Sequence, residues 1–217
     1  MKSGIVWQPS LLDAGPAEFD VSYDGLRRIE LDAESWVDYC PGWLRGSDTV
    51  LAELLASADW GQRIVHMYER TLPEPRLTAG WSTDAVDESA DDSVPAMVRD
   101  MAKDLGARYD VHFDAIWMNL YRDGADSVAW HGDRNRHVME RPMVATVSLG
   151  ARRRFMLRRR GTSKIAHVLE PGGGDLIVMG GRCQHDWEHT VPKTKKAVGA
   201  RISITIRHSR PASTSES

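Results

Sequence analysis

After about residue 105 the apolar residues stop recurring every three or four positions and begin to alternate. That change constrains the fold more than any other feature of the chain. Residues 115–121, 128–131, 144–149, 155–158, 166–169, 176–179 and 201–207 read as strands, separated by glycine and proline turns with no long helical run between them. Many short strands without crossover helices form an antiparallel sandwich or barrel. The glycine run Gly172-Gly173-Gly174, closed by Asp175, is a tight turn, because a phosphate-binding loop would need a helix after it.

Upstream of the change the reading is mixed. Residues 26–55 read as mostly helical or irregular, with Leu44, Val50, Leu51, Leu54 and Leu55 as the apolar rhythm, and are expected to pack outside the sheet. Residues 64–68 form a strand, and Pro73 and Pro75 punctuate a loop into the segment 76–81. The acidic stretch 84–92 is expected to be a mobile loop. A helix follows over 95–105, with Ser93 as its cap, Pro95 in its first turn, and Met97, Met101 and Leu105 as its buried stripe. The expected class is therefore mainly β with flanking helices, an α+β arrangement. N-terminal helices and a lid occupy about 1–110, the β core about 111–210, and a disordered tail 211–217.

With 217 residues, 41% of them apolar, one domain is expected, large enough to bury a core of its own. No apolar run is long enough to span a membrane, and the start lacks the apolar stretch of a signal peptide, so a cytoplasmic location is expected. Cys40 and Cys183 stand in no metal-binding spacing and are expected to remain reduced thiols. Charge is unevenly spread. Residues 1–98 hold 7 Lys and Arg against 18 Asp and Glu, whereas 99–217 hold 21 against 13. Arg152, Arg153, Arg154, Arg158, Arg159 and Arg160 crowd the second half. They read either as the solvated face of a strand or as a surface for a polyanion.

Two His-x-Asp pairs carry the candidate chemistry. Residues i and i+2 share one face of an extended strand, so such a pair offers an imidazole and a carboxylate together. With a distant second histidine it makes the three-ligand set that leaves coordination positions open on iron. Chance alone supplies roughly 0.7 such pairs in a chain of this composition, so context has to decide. His112 and Asp114 precede a strand without a partner motif and read as surface or strand-entry polarity. His131 and Asp133 close the strand with Val128 and Trp130 and open a polar loop, where ligands project from a barrel mouth. The third ligand is His185 or His189. Arg201 and Arg207 are six apart and share a face, either inward around a small dicarboxylate or outward with Ile202, Ile204 and Ile206 inside.

Several stretches then support a resemblance. They are Asn119-Leu120-Tyr121, Trp130-His131-Gly132-Asp133, Val147-Ser148-Leu149-Gly150, Gly174-Asp175-Leu176, Gln184 with Trp187, His189-Thr190-Val191-Pro192-Lys193, and the segment from Arg201 through Ser203 to Arg207. In these residues the chain resembles the AlkB family of nucleic-acid dealkylating dioxygenases, over roughly the C-terminal half and more weakly back to Pro75-Arg76-Leu77-Thr78.

The resemblance implies a double-stranded β-helix (jelly-roll) core and the cofactors Fe(2+), 2-oxoglutarate and O2. It implies His131, Asp133 and His189 as metal ligands. Arg201 would bind the distal carboxylate of 2-oxoglutarate and Arg207 the end nearer the metal, with Asn119, Tyr121 and Ser203 also at the cosubstrate. Trp81 would stack on the extruded base, and Arg76, Asn135 and Arg158 would contact substrate. The implied activity is oxidative demethylation of bases such as N1-methyladenine and N3-methylcytosine in DNA or RNA, repairing alkylation damage and releasing formaldehyde, succinate and CO2. Extrusion is cheapest for a damaged or unpaired base. The implied partner is single- or double-stranded alkylated nucleic acid, with no protein partner and a monomeric chain. Two departures stand out: Ser203 replaces a usual asparagine, and Asn135 replaces an acid, flanked by Arg134 and Arg136. They leave the preferred base open. A 2-oxoglutarate-dependent hydroxylase of a small molecule or protein side chain is the alternative.

Overall fold

The computed structural model describes residues 13–67, 70–81, 94–133 and 139–208. The expected loop 84–92, Ser93, Asn135 with its flanking arginines, and the tail 211–217 lie outside the described residues.

The alternation after residue 105 becomes strands β8 (Ala115–Tyr121), β9 (Val128–His131), β10 (Val144–Gly150), β11 (Phe155–Arg159), β12 (Ile165–Leu169), β13 (Leu176–Gly181), β14 (Trp187–Val191) and β15 (Arg201–Arg207). Ahead of them lie β1 (Glu18–Phe19), β2 (Arg27–Glu30), β3 (Ser35–Cys40), β4 (Leu44–Arg45), β5 (Ile64–Met67), β6 (Arg70–Pro73) and β7 (Leu77–Trp81). The helices are α1 (Ser47–Ser57), α2 (Ala96–Tyr109) and the single turn α3 (Cys183–Asp186).

A seven-stranded sheet runs β2-β3-β13-β10-β15-β8-β7, a four-stranded sheet runs β12-β11-β14-β9, and every pairing in both is antiparallel. Their facing sides share one apolar cluster, with Val144, Ile177 and Met179 from the larger sheet against Phe155, Leu157 and Val191 from the smaller. This is the expected jelly-roll, a mainly β fold with flanking helices.

The larger sheet is buried on both faces. Its outer face carries Ile116, Met118 and Leu120 of β8 beside Ile202, Ile204 and Ile206 of β15, covered by Leu51 and Leu54 of α1 and Val98, Met101 and Leu105 of α2. The helix expected over 95–105 thus runs on to Tyr109, and Val98 joins its buried stripe while Met97 stays half-buried.

The N-terminal expectation needs correction. Residues 26–55 are helical only from Ser47, and β2 and β3 extend the large sheet instead of packing outside it, with β3 paired to β13. Trp36, Tyr39 and Asp38 hid this strand, because both of its faces carry polar and aromatic groups with internal partners. Asp38 accepts from Arg28 at 2.7 and 2.8 Å and from Tyr109 at 2.9 Å, and Tyr39 donates to Asp175 at 2.7 Å.

Candidate active site

Between the two sheets lies a cavity of about 820 Å³. Its floor is the inner face of the larger sheet, where alternation sends the odd-numbered residues of β8 and β15 inward: Trp117, Asn119 and Tyr121 beside Arg201, Ser203, Thr205 and Arg207. The isoleucines of β15 take the other face. Both readings of the arginines therefore hold a part of the truth, since a sheet covered on both sides has two insides.

The opposite wall brings together the three residues read as ligands. His131 on β9 and His189 on β14 are cross-strand partners with ring centroids 4.3 Å apart. Asp133 follows two residues after His131, and its Oδ2 lies 3.8 Å from His189 Nε2. Gly132 lets the chain pass close to its neighbours, because a Cβ there would stand 2.5 Å from the Gln184 carbonyl oxygen and 2.6 Å from an Arg160 nitrogen. The buried Gln184 accepts the Asp133 N–H at 2.8 Å, and Arg207 donates to Asp133 Oδ1 at 3.0 and 2.7 Å. His131 Nδ1 sits 2.8 Å from the Ala129 carbonyl, which leaves its Nε2 to face the cavity.

The electrostatics suit a cation. Burial and the facing His131 push His189 down to about 3, outweighing the pull of Asp133, so its imidazole is neutral with a lone pair to offer. Burial opposes ionisation of Asp133, yet Arg207 and the two histidines outweigh it and hold the carboxyl well below its usual range. Among the described residues no three His, Cys, Asp or Glu side chains are drawn together closely enough to hold a metal as they stand. The donor chemistry, two imidazoles and one carboxylate at a cavity wall, fits Fe(II) with open positions.

At the other end stands Arg201, 1% exposed. Its Nη2 donates to Ser148 Oγ at 2.7 Å and its guanidinium lies 5.3 Å from the centre of the Tyr121 ring. Nε and Nη1 have no protein acceptor. Burial lowers its pKa, with Tyr121 opposing. A buried guanidinium with unmet donors is costly unless a carboxylate completes it, so this end fits one carboxylate of 2-oxoglutarate.

Asn119, Tyr121 and Ser203 line the same cavity, and Asn119 Oδ1 accepts from Arg76 Nε at 2.9 Å. His185 is turned elsewhere, its Nε2 3.0 Å from the Met139 carbonyl. Asp114 of the other His-x-Asp pair is buried rather than superficial, at the entry to β8.

Arg207 lines the cavity and donates to Asp133 through Nε and Nη2. Three expectations change. Trp81 pairs with Ile116, faces the helices and packs on the large core, so it does not line the cavity; Trp117 does. Arg158 lies outside the cavity, on the far face of the smaller sheet, 4.3 Å from the Trp130 ring centre and bound to Glu188 at 2.8 and 3.0 Å. Within the arginine block Arg153 is buried on the carbonyls of Asp123, Asp126 and Pro192, and Arg160 serves Glu188 and the backbone of 184–187, leaving Arg152, Arg154 and Arg159 as the exposed members.

Sequence reading missed β14, the strand that carries His189, and the role of Gln184. Alternation of Trp187, His189 and Val191 was the available signal for the strand. For Gln184 there was none, because its partner is 51 residues away.

Two facing antiparallel sheets, a His-Asp-His wall and a buried arginine at the far end define an iron- and 2-oxoglutarate-dependent oxygenase. Residues 39–207 match the family model described as the 2OG-Fe(II) oxygenase superfamily, and the chain belongs to that superfamily. Its cofactors are accordingly Fe(II), 2-oxoglutarate and O2.

Among curated relatives, the alpha-ketoglutarate-dependent dioxygenase alkB homolog 3 of Mus musculus is 28% identical over 92% of this chain and 73% of its own length. The human protein of that name is also 28% identical, with the same shares covered. The DNA oxidative demethylase ALKBH2 of Arabidopsis thaliana is 32% identical over 44% of this chain and 37% of its own. Among solved structures, OsALKBH1 superposes with a TM-score of 0.58 at 13% identity, covering 84% of this chain and all of that one. No described helix is long and apolar enough to cross a membrane.

Proposed function

We propose that this oxygenase oxidatively demethylates alkylated bases, such as N1-methyladenine and N3-methylcytosine, in DNA or RNA. The observation that carries the reading is the polarity of one cavity: two imidazoles and a carboxylate on one wall, a buried guanidinium with two unmet donors at the far end. The names of the relatives that span most of the chain support the substrate class.

In this reading His131, Asp133 and His189 hold the metal. Arg207 holds Asp133 ionised by its charge, and Gln184 fixes the backbone there by accepting the Asp133 N–H on its Oε1. Arg201, with Ser148 behind it, receives the distal carboxylate of 2-oxoglutarate, and Asn119, Tyr121 and Ser203 flank that molecule. Iron and 2-oxoglutarate held there would supply, with O2, the oxidant for hydroxylating the methyl group, the products being succinate, CO2 and, from the hydroxymethylated base, formaldehyde. Placing the substrate carbon between walls that exclude water is the work of the protein.

One observation favours a second substrate class, a small molecule or protein side chain: half of the arginine block is committed to protein partners rather than to a nucleic-acid surface. The deciding experiment supplies Fe(II), 2-oxoglutarate and a panel of methylated oligonucleotides, reading succinate together with methyl loss. Stimulation by a methylated strand, abolished in His131→Ala and Asp133→Ala but retained in His185→Ala, is the expected result. Succinate formation that no methylated DNA or RNA raises above its basal rate moves the substrate to the second class.

A further inference from the structure

The substrate end of the cavity has residues of its own that sequence reading assigned no part. On β8, Trp117 pairs with Thr205 of β15 and with Gly80 of β7. Thr205 is two residues from Arg207, the partner of Asp133, and four from Arg201. At a strand rise near 3.4 Å, Trp117 thus lies about 7 Å along the sheet from the metal-side arginine and about 14 Å from the cosubstrate arginine. The indole lies against the Gly80 backbone, where any Cβ would collide with its ring. One face is therefore backed by strand β7. The Arg63 guanidinium stands 6.0 Å from the ring centre.

Glu74 lines the same cavity with its side chain only 13% exposed. Arg76 Nη2 forms an ion pair with Oε2 at 3.1 Å, without the alignment of a hydrogen bond. The carboxylate can only accept hydrogen bonds. Apart from Asp133, no other carboxylate lines the cavity among the described residues.

We propose that Trp117, backed by Gly80, is the surface on which the alkylated base stacks, and that Glu74 accepts a hydrogen bond from the edge of that base. This rests on the demethylase reading and deepens it. Bases methylated at N1 of adenine or N3 of cytosine are planar, carry a positive charge at neutral pH and present an exocyclic amino group. An aromatic face and a carboxylate suit all three properties, and a neutral methylated base such as N3-methylthymine offers neither the charge nor the amino donor.

The test measures binding by metal-free protein of one oligonucleotide in three forms: unmodified, with N1-methyladenine, and with N3-methylthymine. Wild type is compared with Trp117→Ala, Trp117→Phe, Glu74→Gln and a control on the core face, Trp81→Phe. Trp117→Ala should weaken binding of the N1-methyladenine strand by roughly 5- to 150-fold, as loss of one base-stacking aromatic does, and Trp117→Phe should recover part of it. Glu74→Gln should reduce the preference for N1-methyladenine over N3-methylthymine by roughly tenfold or more, because an acceptor to a charged donor is lost. Trp81→Phe should bind as wild type does. Melting curves establish that each variant is folded, and if Trp117→Ala is not, Trp117→Phe and Glu74→Gln decide. Folded Trp117 and Glu74 variants that keep the wild-type preference overturn this assignment alone. A wild-type protein that neither prefers a methylated strand nor forms succinate with one overturns the demethylase reading beneath it.

Discussion

Replacing Arg201 by methionine should move cosubstrate affinity and protein stability in opposite directions. The side chain is buried, Ser148 satisfies one of its nitrogens, and Nε and Nη1 point to no acceptor. Truncating one partner of a buried, hydrogen-bonded charge pair costs about 2–5 kcal/mol, so 2-oxoglutarate affinity should fall roughly 30- to 5,000-fold. In the protein without 2-oxoglutarate the sign reverses. A buried cation with unmet donors opposes folding, and methionine fills a comparable volume without charge, so Tm should hold or rise. Wild-type protein in 2-oxoglutarate at 100 times its dissociation constant gains about 2.7 kcal/mol, which at this chain length is roughly 5–11 °C in Tm. Arg201→Met at the same concentration should lose most of that shift. Thermal melting with and without 2-oxoglutarate, in the presence of a redox-inert divalent metal, reads both effects. An undiminished shift in the variant would refute the assignment of Arg201 to the cosubstrate.

Three further outcomes follow from particular contacts. Gln184→Ala leaves the Asp133 N–H without its acceptor; metal affinity, read by equilibrium dialysis, should drop roughly 10- to 100-fold. Gly132→Ala forces a Cβ against the Gln184 carbonyl and Arg160, and urea unfolding should show a loss of about 1–3 kcal/mol. Burial and the hydrogen bond to Asp175 push the Tyr39 phenol up to about 12 from its ordinary 10. A raised folded-state pKa gives stability that is intact below the unfolded value and lost as pH rises through the folded one, so wild-type stability should decline between pH 10 and 12 and Tyr39→Phe should show a smaller decline.

How far the sequence could be read follows from which interactions are local. Alternation located β8, β10 and β15 within a residue or so because each carries apolar groups on every second position, a signal contained in the strand itself. Strand β3 escaped it, since Asp38 and Tyr39 are satisfied by Arg28, Tyr109 and Asp175, partners that only the folded chain assembles. Parity placed Arg201 and Arg207 on one face but could not say that both faces of their sheet are buried. Trp81 was misplaced for the related reason that pairing decides its face: opposite Ile116 it turns to the helices, and Gly80 opposite Trp117 yields the cavity to the neighbouring strand. The arginine block looked like a phosphate-binding surface because Glu188 and the carbonyls that engage Arg153, Arg158 and Arg160 come from elements far along the chain.

The measurement closest to the central claim is the product balance on an oligonucleotide carrying one N1-methyladenine. With Fe(II), 2-oxoglutarate and O2, formaldehyde and unmodified adenine should form in equal amounts, accompanied by at least as much succinate, and all three should disappear in His189→Ala while persisting in His185→Ala. Succinate without formaldehyde on every methylated strand, or turnover that survives His189→Ala and fails in His185→Ala, would contradict the account.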